Sequence, residues 1–433
     1  MAYIQFQKEQ DIEYNLKLKL KKVNRNLFSF FILILSFIFY LVLFEIEYIP
    51  IIELDDSYNA KCLDGSNYRF NFIQGKGEGK NKFLFYLEGG GWCGQETLGD
   101  NFVESCFERA KSSLGSNIGF FGSLVISRLI RLLSSKEKYN PNFYNWNKIF
   151  VRYCDGSSFM SDRVYEKNGS KIYMNGKNNL LGVMNYLKIN NNFTEADSVI
   201  LSGFSAGSFA TLIFANYIDS LTTKKNNTFV ISDSGFFYDL DDKVLKINKL
   251  VQKAYEYSTN HTEIVKLFDY YCDKHYIEKE PWKCMSGEYF VFNIKVPILS
   301  FQNVYDSWIT RVINGNNCFL NRNYINNCSK QQMEKIYREG NLLIEKIHKY
   351  PRYDHITLFY YRKIGHMLTY YNWIWDDKNY SIDGLTMNDI IKEWYEAVSK
   401  GKEMKKREYI EKENTHIASK DFYFYYSLLT GAS

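Results

Sequence analysis

Histidine occurs only six times in 433 residues, and proline only five times. So few histidines leave few choices for a general base. None stands in a His/Asp/Glu group with metal-ligand spacing, so no metal is expected. Cys-x-x-Cys pairs are absent, which argues against zinc ribbons and thioredoxin-type chemistry. There is no P-loop to cradle a phosphate, and no cofactor is implied. A strong charge of one sign is also missing. The net charge is +5, and no basic block interleaves with aromatics, so nucleic acid is not an expected partner. The aromatic share is 18%, with 36 Tyr and 33 Phe, and Lys and Asn are abundant. Together with the scarce proline, this is a compositional bias rather than a functional signal.

What is present centres on Val199 to Ile213. Val199-Ile200-Leu201 reads as a buried strand, and Phe209, Leu212 and Ile213 recur at helical spacing. Between them lies Gly203-Phe204-Ser205-Ala206-Gly207, a G-x-S-x-G pattern. A strand that turns sharply into a helix pushes the central serine out at the tip. Small residues two positions either side let the two elements approach. The amide of Ala206 then points to where an oxyanion would form.

Earlier in the chain, the expected strand Phe83 to Leu87 runs into Glu88-Gly89-Gly90-Gly91-Trp92-Cys93. Successive glycines leave their amides unshielded, so this loop is a candidate source of the second oxyanion donor. Gly75, Gly77 and Gly79 lie in a polar loop and suggest a hairpin between the strand Tyr68 to Ile73 and the next one. An apolar helix over 118–133 is expected to cap the site. Further strands are expected at Lys148 to Tyr153, Phe229 to Ser232, Pro297 to Gln302 and Ile356 to Tyr361, with helices between them. This alternation predicts an α/β fold: a mostly parallel sheet with helices on both faces.

Acyl transfer by a serine needs a base, and an acid to hold that base. Asp306 and His366 each stand just past an expected strand, in the order Ser, Asp, His that such folds use. His355 is the competing base, but it precedes its strand. Asp233 is the rival acid, expected instead to shape the pocket floor. The reaction implied is hydrolysis of an ester through an acyl-enzyme.

Residues 1–26 carry six Lys or Arg, and Leu27 to Phe44 are eighteen residues without a charge. As a helix this run is ~27 Å long, close to a bilayer core. The basic side is N-terminal, which places residues 1–26 in the cytoplasm and the rest outside. The expected organisation is a cytoplasmic segment (1–26), a single-pass membrane signal anchor (27–44), an extracytoplasmic catalytic domain (45–400) and a charged tail (401–433). Cleavage and secretion is the alternative, although Glu45-Ile46-Glu47-Tyr48 makes a poor cleavage site. That compartment favours disulfides over eight free thiols. Cys93/Cys106, Cys272/Cys284 and Cys318/Cys328 would close short loops, leaving Cys62/Cys154 as a longer link. Sequons at Asn168, Asn192, Asn226, Asn260, Asn327 and Asn379 permit glycosylation.

Leu87-Glu88-Gly89-Gly90-Gly91-Trp92-Cys93, the elbow pentapeptide, Cys62-Leu63-Asp64-Gly65-Ser66, Asp233-Ser234-Gly235-Phe236-Phe237 and Asp306-Ser307-Trp308 together resemble one family: the pectin acetylesterases and Notum carboxylesterases. The resemblance spans roughly residues 60–396. It implies an α/β-hydrolase fold, a triad of Ser205, Asp306 and His366, and oxyanion amides from Gly90, Gly91 and Ala206. Two positions depart from the family pattern. Ser208 stands where a second glycine often follows the elbow. Tyr361 to Gly365 precede His366 in place of the family's Ser-Cys-x-x-His run. The substrate implied is an O-acyl ester, most simply an O-acetyl ester of a polysaccharide or glycoconjugate. The alternatives are a long-chain acyl group on a lipidated protein, or a catalytically silent member that binds glycans or lipids.

Overall fold

The computed structural model describes Lys22 and residues 27–37, 49–118, 130–239, 246–316, 318, 328–349 and 355–412. The strands are β1 (Ile51–Glu53), β2 (Arg69–Ile73), β3 (Lys82–Leu87), β4 (Asn147–Val151), β5 (Arg163–Lys167), β6 (Ser170–Met174), β7 (Ser198–Phe204), β8 (Thr228–Asp233), β9 (Ile298–Asp306), β10 (Ile356–Gly365) and β11 (Glu408–Ile410). Nine of them form one sheet in the order β1-β2-β4-β3-β7-β8-β9-β10-β11, while β5 and β6 form a separate hairpin. Every pairing from β4 to β11 in that order is parallel; β1 and β2 join antiparallel at one edge.

The central strands are buried along their whole length, as expected when helices cover both faces. Phe83, Phe85 and Leu87 of β3 face one core with Val199 and Leu201. Leu84 and Tyr86 face the other with Ile200 and Phe301. Helices Gly176–Asn191, Ala206–Leu221 and Lys246–Ser258 close the first core through Val183, Phe209 and Leu250. Helix Met387–Val398 closes the second through Ile390, Ile391 and Trp394.

Two expectations about the sheet need correction. β2 and β3 do not form a hairpin, because β4 lies between them, antiparallel to β2 and parallel to β3. The glycine loop instead passes beneath the start of β4: a Cβ at Gly79 would lie 2.1 Å from the Asn145 carbonyl. The chain after residue 400 is not only a solvated tail. β11 pairs with Leu358, Phe359 and Tyr360, and buried Glu411 accepts from the Arg362 amide. Mixed charge hid this strand, since an edge strand needs only its backbone and one buried side chain, here Tyr409.

The expected disulfides form: Cys62–Cys154, Cys93–Cys106, Cys272–Cys284 and Cys318–Cys328. Residues 1–47 make a unit separate from 48–433. Within it, residues 27–37 are helical with exposed apolar side chains. The remainder of the expected span, 38–44, lies outside the described residues. Among the described residues, no helix is long and apolar enough to cross a membrane. Most of the expected cap helix, 119–129, also lies outside them; Arg131–Leu133 is a single 3-10 turn.

Candidate active site

β7 ends at Phe204 and the next helix begins at Ala206, so Ser205 alone makes the turn. Its backbone sits at φ 51 and ψ −125, a region that a residue with a side chain rarely occupies. Glycines make the turn possible. A Cβ at Gly207 would lie 2.2 Å from the Leu87 carbonyl, and one at Gly203 would lie 2.6 Å from the same oxygen. The strained residue is held on both sides. Its amide donates to the Asp233 carbonyl at 2.8 Å, and its carbonyl accepts from Phe209 at 2.9 Å.

Parallel register brings the other groups to the same end of the sheet. Phe204 pairs with Asp233, and Gly365 pairs with Asp306. His366, one residue beyond β10, bridges the two sides. Its Nε2 lies 2.7 Å from Ser205 Oγ, and its Nδ1 lies 2.8 Å from Asp306 Oδ2. An ionised carboxylate only accepts, so Nδ1 carries the proton and Nε2 is free to accept from the serine. The Asp306 side chain is buried and saturated. Its Oδ1 accepts from the Trp308 and Ile309 amides at 2.9 and 3.1 Å, and its Oδ2 also accepts from Gln302 Nε2 at 2.8 Å. Trp308 stacks along the His366 ring at 6.3 Å.

Beside Ser205 lies a narrow apolar crevice lined by Gly91, Trp92, Ala206, Phe209, Phe237, Ile247, Leu250, Val251 and Trp308. Ala206 is the first residue of its helix, so its N–H has no acceptor within the helix. Gly91 lines the crevice at φ 68, with its carbonyl held by Tyr153 Oη at 2.8 Å. Gly90 is not part of that lining; it packs against Leu114 and Tyr153.

The rival residues lie elsewhere. The His355 carbonyl accepts from the Ile298 amide, at the opposite end of the sheet from Ser205. Asp233 is not on the pocket floor. It is fully buried, and its carboxylate accepts from the segment just after His366. Burial pushes its pKa up, against the pull of those hydrogen bonds. The sequence motifs assign no role at the site to Gln302 or Gln95. Gln302 lies on the same strand face as Asp306, four residues earlier, a signal visible once β9 is continued to residue 306. Gln95 Oε1 accepts from both the Trp92 amide and Trp308 Nε1, tying the glycine loop to the turn after Asp306. Among the described residues, no group of His, Cys, Asp and Glu is arranged to hold a metal.

The parallel sheet, the elbow and the groups gathered at its strand ends define an α/β-hydrolase fold. The family model for pectinacetylesterase matches residues 46–416, and the chain belongs to that family. It is 30% identical over 348 residues to pectin acetylesterase 5 of Arabidopsis thaliana, covering 78% of this chain and 77% of that protein. Identity to the palmitoleoyl-protein carboxylesterase NOTUM of Schmidtea mediterranea is 24% over 280 residues. That match covers 60% of this chain and only 49% of the longer relative. Among solved structures, the Wnt deacylase Notum from Drosophila superposes with a TM-score of 0.64 at 21% identity, over 83% of this chain and 97% of that one. The last likeness is one of fold.

Proposed function

We propose that the chain is a serine carboxylesterase that removes a short O-acyl group, most simply acetyl, from a polysaccharide or glycoconjugate. One observation carries this reading: the unbroken relay Ser205–His366–Asp306 at the mouth of an apolar crevice. Ser205 Oγ attacks the ester carbonyl while His366 Nε2 takes its proton, and Asp306 holds the imidazolium. The carbonyl oxygen becomes an oxyanion facing the amides of Gly91 and Ala206, where each donor lowers the barrier by about 3–4 kcal/mol. The tetrahedral intermediate collapses and the alcohol leaves with the proton from His366. Water then attacks the acyl-enzyme by the same route and releases the carboxylic acid.

Phe237 packs at tilted angles against Phe209 and Trp308 along the crevice, and this narrow aromatic lining supports a small acyl group over a large one. The higher identity to pectin acetylesterase 5 supports the same choice. A long-chain O-deacylase of a lipidated protein is the second reading, favoured by the apolar lining and the fold shared with Notum. Residues 27–44 are proposed as a membrane anchor, with the catalytic unit outside the cytoplasm. The uncharged run, its basic flank and four disulfides support that placement.

The test is labelling of the full chain by a fluorophosphonate, followed by hydrolysis of p-nitrophenyl acetate, butyrate and octanoate. Labelling that vanishes in Ser205→Ala, with acetate turned over fastest, is the expected result. Preference for octanoate would support the long-chain reading. A folded chain that takes no label would refute the esterase and leave a silent binding protein.

A further inference from the structure

Beyond Gly365 the ladder between β10 and β9 stops, so the sheet does not hold His366 directly. What holds the next three residues is one buried pair at the end of β8. Asp233 Oδ2 accepts from the Leu368 amide at 2.7 Å, the Thr369 amide at 2.6 Å and Thr369 Oγ1 at 2.8 Å. Its Oδ1 accepts from Ser234 Oγ at 3.0 Å, and Ser234 Oγ in turn accepts from the Met367 amide at 3.1 Å. Every amide from 367 to 369 thus ends on this pair. Asp233 also accepts the Ser205 amide on its carbonyl at 2.8 Å, so one residue holds both the elbow and the histidine loop.

The backbone on both sides is strained. Ser234 has φ 54 and Met367 has φ 69, and neither is glycine. Such conformations persist only where surrounding bonds over-determine them. Asp233, Ser234 and Thr369 are fully buried, so water cannot substitute for a lost partner. Thr369 Oγ1 also bonds Tyr86 Oη at 2.9 Å, which ties the loop back to β3.

We infer that Asp233, acting with Ser234 and Thr369, is a positioning residue for His366. It fixes the imidazole between Ser205 and Asp306 by clamping the three backbone amides that follow the histidine. This rests on the serine-esterase reading and deepens it: the second strand-end carboxylate is neither a spare triad acid nor part of the acyl pocket. Because the clamp acts on geometry and not on substrate contact, it affects kcat and leaves KM alone.

The experiment uses the full chain, p-nitrophenyl acetate and a fluorophosphonate. Asp233→Asn keeps the volume but turns an amide NH₂ or a single oxygen toward donors that need a carboxylate. Its kcat should fall about 100-fold, the scale of a misplacement near 1 Å, with KM within about twofold of the parent. The rate of fluorophosphonate labelling at Ser205 should fall in step. Thr369→Val removes the hydroxyl that donates to Asp233 and accepts from Tyr86 and should lower kcat about tenfold, while Thr369→Ser, which keeps both bonds, should restore activity. If Asp233→Asn does not fold, the Thr369 pair decides alone. A folded Asp233→Asn with unchanged kcat, a rise in KM in place of the fall in kcat, or equal losses in Thr369→Val and Thr369→Ser would each overturn the clamp. A parent chain that takes no label at Ser205 removes the esterase reading and the clamp together; a labelled parent with unaffected variants removes the clamp only.

Discussion

Ser205 stands in a backbone region that costs about 1–3 kcal/mol for a residue with a side chain. Its neighbours keep it there by leaving no room for relaxation. Gly207 is the tightest of them, with the Leu87 carbonyl 2.2 Å from where a Cβ would sit. Gly207→Ala should therefore destabilise the chain by about 3 kcal/mol, at the upper end for overpacking. Chemical unfolding would show this as a lower midpoint, and labelling of Ser205 should fall as the elbow shifts. An unchanged midpoint would mean that β3 yields freely. The requirement for glycine on either side of the serine was legible in the sequence, because it follows from local geometry. The support from Gln302 and Gln95 was not, because it depends on how far β9 runs and on where the glycine loop lands.

The helix Lys246–Ser258 presents Ile247, Leu250 and Val251 to the crevice, and its first amides end on a buried carboxylate. Asp239 accepts from Ile247 and Asn248 at 2.7 and 2.8 Å. Burial pushes its pKa from the usual 3.8 up to about 6; these hydrogen bonds and Lys346 oppose the rise, while Glu288 adds to it. A raised carboxyl binds its proton more tightly in the folded state. Its contribution to stability is full below the usual value and is lost as pH rises through about 6. Asp239→Asn cannot titrate, so its melting temperature relative to the parent should rise between pH 4.5 and pH 7. A constant difference across that range would show that Asp239 titrates as an ordinary carboxylate. At this scale the helices were readable from their apolar spacing. The short strand β11 was not, because its pairing partner lies some fifty residues away.

Across the whole molecule, the disulfides rank by the length of chain they close. Cys62–Cys154 spans 92 residues and Cys318–Cys328 spans 10. By loop entropy, replacing the first pair with serines should cost about 4–5 kcal/mol and the second about 3 kcal/mol. Thermal unfolding of the two double variants should show that order; the reverse order would mean that local packing outweighs chain entropy. The sequence by itself determined the alternation of strands and helices, the serine at a glycine-flanked turn, and the order of Asp306 and His366 at later strand ends. These are set by residue type and local spacing, which survive in one dimension. The insertion of β4 between β2 and β3, the edge strand after residue 400 and the grip of Asp233 on the histidine loop were decided only by the tertiary structure. Each joins segments far apart in the chain. Strand register and a buried carboxylate's choice of donors come from three-dimensional packing, which no local pattern encodes.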